Sequence, residues 1–401
     1  MSQVNSIRLF NASCFALVTT AMAFAIRAGI VDNLTKEFGL SFEEVGYITS
    51  MAFLGFPVAT IIGGPLYNTL GPRKMAWIAF IGHLLGIILT IMAGGFWTLI
   101  ISTFLIGFAN GTVEAAFNPM IATLYKNNQT TMFNKFHVWF PGGIVIGSLI
   151  SYFFKQMGLD WQMQVATMLI PTAIYAYLFW GQAFPEEKLA DASTSDNITA
   201  MLNPIYLLFF VGMILTANAE LSTTGWAQKL LGNAGASPML VLALITGLMA
   251  VGRYFGGPLI HRFKPIGVLL GSAIVATIGI GLLSVAEGPM IYIAAIVFAI
   301  GVCYFWPTML GAVAEYAPKT GATGLSILGG IGMFATGIMQ PIIGSWLDTE
   351  KDAATVGGIA ADQIELVAGQ ATLDNLAVFP ALAVVLFVVL FYMLRNRQAA
   401  H

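Results

Sequence analysis

Twelve apolar stretches, each long enough to cross a bilayer as a helix, leave this chain few ways to fold. They run roughly Leu9–Val31, Val45–Leu70, Met75–Gly94, Trp97–Tyr125, Thr131–Phe154, Gln162–Phe184, Pro204–Gln228, Pro238–Leu259, Ile266–Val285, Met290–Val313, Gly321–Leu347 and Leu376–Leu394. A spanning helix needs about 20 such residues. Inside a membrane only helices and closed barrels satisfy their own backbone groups. Composition points the same way: 58% of the 401 residues are hydrophobic and 9% are charged, against about 25% charge in a soluble domain. The expected fold is an all-α membrane protein of twelve transmembrane helices. Arg8 precedes the first run and no small-residue cleavage site follows it, so that run is expected to be a first transmembrane helix rather than a removed leader.

The polar stretch PEEKLADASTSDNITAMLN at 185–203 divides the chain into two six-helix bundles, residues 1–184 and 204–401. A second polar stretch, Asp348 to Asp374, is too long for a tight turn and is expected to hold a short helix of its own. The sequence Gly-Gly-Pro-Leu occurs at 63–66 and again at 256–259, 193 residues apart, each time at the end of an even-numbered apolar stretch. That register places Arg27 over Glu220. Two parallel six-helix repeats are an architecture of alternating-access transporters, with the solute site between them. Of the seventeen Lys and Arg residues, eleven fall on one side of the expected membrane and four on the other, with Arg27 and Arg253 inside helices. The positive-inside rule then puts both termini in the cytoplasm, and the expected location is the bacterial plasma (inner) membrane.

Polar residues inside the apolar stretches mark the candidate site. Glu114 lies in an apolar segment with no charge nearer than Lys126, and Asn110, Glu114 and Asn118 recur every four residues, one stripe on a helix. The next segment opens with Asn134, His137 and Pro141. A charge near the bilayer centre costs roughly 2.5–3.5 kcal/mol on insertion scales, so lipid-facing placement is disfavoured and a wet cavity between helices is expected. Several classes are excluded. The chain has no His-Glu-x-x-His, no Gly-x-Ser-x-Gly and no nucleotide-binding loop, and no basic patch for nucleic acid. Cys14 and Cys303 both lie in apolar segments and imply no disulfide framework.

Five blocks carry a resemblance. Gly64–Lys74, GPLYNTLGPRK, is similar to the loop signature of the major facilitator superfamily, with Asn68 and Thr69 where an aspartate and the first arginine are usual. EAAFNP at Glu114–Pro119, NKFHVWFPGG at Asn134–Gly143, ELSTTGW at Glu220–Trp226 and TGLMAVGR ending at Arg253 resemble the fucose–galactose–glucose:proton symporter branch. The resemblance implies that Glu114 is the protonatable carboxylate, with His137 sharing that role. It also implies that the first and seventh helices face each other across a central cavity. On that reading Arg27 and Glu220 form a gate, and Arg73 and Lys74 gate or brace the cytoplasmic loop. Arg253 is expected to be structural, reaching the headgroups or the Gly-Gly-Pro-Leu loop.

Solute ligands are then expected among Arg27, Asn110, Asn118, Asn134, Trp139, Glu220, Trp226, Tyr304, Trp306 and Gln340, with rings stacking on sugar C–H faces and amides bonding hydroxyls. The expected function is proton-coupled symport of a small polar solute, a monosaccharide, by a monomer surrounded by lipid. No cofactor is expected; the coupling ion is H+, with Na+ as the alternative. The branch's fucose transporter carries an acid in its first helix near the place of Arg27 and Ala28. An arginine there opens a second expectation, in which Arg27 binds the carboxylate of an organic anion or sugar acid. A transporter-like sensor is the third reading.

Overall fold

The structure is a computed structural model, and it describes residues 4–125, 135–185, 194–226 and 237–394. Its contacts divide the chain into two units, Met1–Ala190 and Asp191–His401. Among the described residues 11 helices are long and apolar enough to cross a membrane.

In the first unit α1 (Ser6–Phe38) is the central element. The Asn5 side chain caps it by accepting from the Arg8 amide at 3.0 Å. It is apolar on nearly every face, as a helix enclosed by others must be, and it packs against α3 (Phe96–Leu124), α4 (Trp139–Gln156) and α6 (Leu169–Phe179). The second and third spans form one continuous helical run, α2 (Phe42–Ile91), opened by a Ser41–Glu44 capping box and kinked at Gly71. The third and fourth spans approach closely. A Cβ on Gly86 would stand 2.6 Å from the Ile106 side chain, a distance only glycine allows.

The sixth span is not the single helix expected over Gln162–Phe184. It is broken into α5 (Trp161–Ala166) and α6. Pro171 has no amide proton to give the carbonyl of Thr167, four residues back, and the Ile170 amide takes that carbonyl instead at 3.1 Å. This tightened turn interrupts the α-helix.

The second unit opens with the short α7 (Thr194–Ala200), followed by α8 (Pro204–Ala217). The seventh span continues through a π-helical turn, Asn218–Ser222, into α9 (Thr223–Gly225). The eighth and ninth spans are α10 (Pro238–Phe255) and α11 (Gly257–Leu283), the latter kinked at Lys264. The tenth span is split into α12 (Met290–Val302) and α13 (Phe305–Tyr316), again just ahead of a proline, Pro307. The eleventh and twelfth are α14 (Gly321–Val356) and α15 (Ile364–Leu394). The polar stretch Asp348–Asp374 therefore holds no separate helix of its own. Asp348–Val356 continues α14 and Ile364–Asp374 opens α15, because Asp, Glu, Lys and Ala are compatible with a helix outside the membrane as well as inside it. Only residues 357–363 connect the two helices, and Lys351 pairs with Glu365 at 3.6 Å across the turn.

Candidate functional site

In the first unit, Arg27 projects from the middle of α1. Its guanidinium lies over two rings, Phe24 at 5.1 Å and Phe53 of α2 at 5.6 Å, while Phe140 meets Phe24 edge-on at 5.7 Å. Ring faces attract a cation, so the arrangement offsets part of the cost of burying the charge. Arg27 is half-buried, and among the described residues of its own unit no carboxylate is paired with it. Within that unit's described residues, its positive charge lies against aromatic faces.

In the same unit α3 carries the Asn110–Glu114 stripe, and the structure separates its members. Glu114 is half-buried. Asn110 is fully enclosed and its Oδ1 lies 2.9 Å from His83 Nε2; His83 Nδ1 lies 3.0 Å from the Tyr175 hydroxyl. In the arrangement that satisfies both contacts, His83 is neutral, donates from Nε2 and accepts the Tyr175 proton at Nδ1. Of the polar side-chain atoms in this trio, Asn110 Nδ2 is the one left without a partner among the described residues. Asn110, expected to meet solute, is instead one end of a buried polar chain linking the third, fourth and sixth spans. His83 and Tyr175 were not among the residues singled out from the sequence. The available signal was a lone histidine in the apolar third span.

His137 and Trp139 are exposed at the start of the fifth span, where His137 meets Phe136 edge-on at 4.9 Å. Arg73 and Lys74 are exposed just beyond the Gly71 kink. Asn134 and the side chain of Asn118 lie outside the described residues.

In the second unit one guanidinium organises the site. Arg253, on α10, donates from Nη2 to Glu220 Oε1 at 3.1 Å and from Nε to the Cys303 carbonyl at 2.9 Å. Pro307 explains the second contact: it has no amide proton for the carbonyl four residues back, which is that of Cys303. The π-turn explains the first, since Glu220 sits within it, 5% exposed. Arg253 was expected to reach headgroups or the Gly-Gly-Pro-Leu loop, and Glu220 was expected to meet Arg27. Here each is the other's partner, because they lie on neighbouring helices of one bundle and a buried charge is costly without a counter-charge.

The remaining candidates are tied to protein groups. Trp226 is 1% exposed, and its indole N–H donates to Gln340 Oε1 at 2.9 Å. Gln340 Nε2 donates to the Thr336 carbonyl at 3.0 Å. Both amide ends of Gln340 are therefore engaged, and Trp226 offers no free ring face in this conformation. The Tyr304 hydroxyl donates to the Gly252 carbonyl at 3.1 Å. Trp306 is half-buried beside Gly329 and Gly332. Among the described residues no group of three His, Cys, Asp or Glu side chains could hold a metal ion.

Comparison with known proteins gives the setting for these clusters. The chain is 24% identical over 271 residues to a D-xylose transporter of Levilactobacillus brevis, a match spanning 64% of this chain and 58% of that protein's length. It is 24% identical over 382 residues to a gallate transporter of Pseudomonas putida, covering 82% of this chain and 83% of the relative. The fold matches the crystal structure of a D-xylose-proton symporter with a TM-score of 0.75 at 15% identity, over 94% of this chain and 96% of that one. These matches are transporters rather than enzymes. Residues 13–339 match the family model of the Major Facilitator Superfamily, and the chain belongs to that family.

Proposed function

We propose that the protein is a secondary active transporter for a small organic acid, a sugar acid or an aromatic acid, whose carboxylate binds Arg27. One observation carries this reading: Arg27 is a half-buried cation flanked by Phe24 and Phe53 with no acid paired to it among the described residues of its own unit. Glu220, the acid at the matching place in the repeat, already has Arg253. A guanidinium so placed can accept a carboxylate in a two-pronged contact, and the flanking rings can cover an apolar or aromatic solute body. The Pseudomonas putida relative, named for gallate, supports an acid as cargo. Glu114, half-buried on α3, serves as the proton carrier with His137 of the fifth span sharing that role, and sodium is the alternative ion. Both termini face the cytoplasm, and the protein works as a monomer in the plasma membrane.

A second reading, proton-coupled uptake of a neutral monosaccharide, draws on the D-xylose transporter relative and the symporter of like fold. A thermal-shift panel separates the two, because a ligand that binds the folded state raises its stability, by about 2.7 kcal/mol at 100 times Kd. We expect gallate or sugar acids to raise Tm in the wild type and not in Arg27→Ala. Neutral sugars as the sole hits, with an undiminished shift in Arg27→Ala, would replace the acid reading by the sugar reading.

A further inference from the structure

Arg73 and Lys74, expected to gate or brace a loop, are exposed and make no hydrogen bond or ion pair among the described residues. Their setting is electrostatically one-sided. Gly71 breaks the helical backbone of α2 and Pro72 follows it, so both cations lie in the first turn of the third span. That end of a helix carries partial positive charge and favours acids, so two cations there oppose the dipole and each other. The first unit supplies no acid to relieve them among its described residues. Asp32, Glu37, Glu43, Glu44 and Asp160 all lie at the opposite ends of the spans, and Glu114 lies within the fourth.

One turn further along the same helix face stands Trp77. Its ring meets two side chains at the end of the sixth span edge-on, Phe179 at 4.8 Å and Trp180 at 5.3 Å. Arg8 fixes that end of the sixth span. Its Nε donates to the Leu178 carbonyl at 2.7 Å and its Nη2 to the Tyr177 carbonyl at 3.1 Å, two of the carbonyls that a helix end leaves without amide donors. Its guanidinium also lies over the Tyr177 ring at 5.5 Å, which adds a third positive charge to the patch. Neither the Trp77 nor the Trp180 indole N–H has an acceptor among the described residues. Cations and N–H donors thus converge on one seam with nothing to accept from them.

The surface beside this patch is apolar and runs along the spans. Ile78, Ile81 and Leu85 are exposed on the third span, and Ile170 and Tyr177 on the sixth. From Lys74 to Leu85 the helix rises about 16 Å, close to the roughly 15 Å of one bilayer leaflet, half of the hydrocarbon core. Indole rings favour the depth of the headgroups. A positive, donor-rich end continued by an apolar strip of that length has the polarity of a phospholipid, where a free anion would use the first part alone. The second unit lacks it: 193 residues on from Arg73, Lys74 and Trp77 stand Ile266, Gly267 and Leu270.

We propose that the seam between these ends of the third and sixth spans is a binding site for one anionic phospholipid. Its phosphate is held by Arg73, Lys74 and the two indole N–H groups, and an acyl chain lies along Ile78, Ile81 and Leu85. The phosphate supplies the acceptors that the seam lacks and the negative charge that the helix end favours. Net negative charge distinguishes the ligand from a zwitterionic lipid, whose own ammonium would be repelled by the same cations. Arg8 acts as a positioning residue, because its carbonyl bonds hold the end of the sixth span against Trp77.

The test needs no solute, so it stands or falls independently of the organic-acid reading. Native mass spectrometry of the purified full chain, titrated in detergent with phosphatidylglycerol or phosphatidylcholine, reads the affinity for each lipid. The wild type should hold phosphatidylglycerol at least tenfold more tightly. Arg73→Ala with Lys74→Ala should lower that affinity about thirtyfold, about fivefold for each cation near an anionic headgroup. Lys36→Ala with Lys155→Ala removes two exposed cations at the opposite end of the same unit and should change it less than twofold. Trp77→Leu should weaken binding with the cations in place. Should that variant fail to fold, the exposed Trp180→Leu serves instead. Inorganic phosphate should not displace the lipid. Equal affinity for both lipids, equal losses in the two double variants, or displacement by inorganic phosphate overturns the proposal.

Discussion

The two units share one backbone kink between their second and third spans and treat charge in opposite ways. The repeat at 193 residues extends past Gly-Gly-Pro-Leu: four residues follow it, then Gly71-Pro72 in the first unit and Lys264-Pro265 in the second. The backbone at these places is nearly the same, φ 76° and ψ 161° at Gly71, φ 58° and ψ 161° at Lys264. Gly86 and Gly279 also share the register, each at the close approach of the helix after that kink to the next one. Side-chain chemistry does not repeat. Arg27 of the first unit matches Glu220 of the second, and Arg253 matches Thr60, whose hydroxyl bonds the carbonyls of Phe56 and Pro57 at 3.2 Å. His83 matches Ala276. One unit thus holds a cation against rings and a neutral buried chain, and the other holds a closed ion pair. The kink that turns the chain between spans recurs, while the polar positions around it differ.

The largest expected effect comes from opening the closed pair. Arg253→Ala leaves the Glu220 carboxylate buried without a counter-charge and the Cys303 carbonyl without its donor, a loss of about 3–5 kcal/mol. Arg27→Ala removes only cation–ring contacts, worth about 0.5–2 kcal/mol. Chemical unfolding in detergent measures both. Equal losses would show that Arg27 is held as firmly as Arg253 and would dissolve the contrast between the units.

Next comes the chain specific to the first unit. His83→Leu strands the Tyr175 hydroxyl and Asn110 Oδ1 in an enclosed space, for about 1–3 kcal/mol. Tyr175→Phe leaves one acceptor unpaired and should cost less, about 1 kcal/mol. The same unfolding measurement applies, and the second unit gives the control: Ala276→Ser should introduce no comparable network. If His83→Leu is neutral, the buried chain contributes no stability and the first unit's polar core needs another explanation.

How much of this was legible in the sequence depended on whether the cause was local. Apolar length marked the spans, because the bilayer imposes a minimum on every helix that crosses it. The break in the sixth span was also legible in principle, from Pro171 alone. Apolarity marks the membrane and not the end of the helix, which is why Asp348–Val356 read as part of a separate polar connection with a short helix of its own but continues α14. The partner of Arg253 could not be read, since it depends on a carbonyl orphaned by Pro307 and on a turn around Glu220 that sequence periodicity does not reveal. Trp226 and Gln340 had the right chemistry for a sugar, yet each satisfies the other, a pairing 114 residues apart in the chain. His83 was passed over because a single histidine carries no spacing.

The smallest expected effect tests the shared backbone directly. Lys264 is the one non-glycine residue with positive φ among the described residues, and the proline that follows fixes its high ψ by excluding the helical region. An L side chain in that region costs of order 1–3 kcal/mol. The first unit avoids the cost with Gly71, where an added Cβ would meet nothing within 4 Å. Gly71→Lys should therefore lose stability through the backbone alone, without a clash. The reverse change, Lys264→Gly, should gain what the strain costs, less about 0.5–1 kcal/mol for the greater freedom of glycine in the unfolded chain. The net expectation is a stabilisation of roughly 1 kcal/mol, read as a modest rise in Tm. The two variants together carry the information, because their effects should have opposite sign at matched positions. A fall in Tm for Lys264→Gly would mean that the Lys264 side chain contributes more in place than its backbone costs, and that this loop has diverged in chemistry as far as Arg27 and Glu220 have.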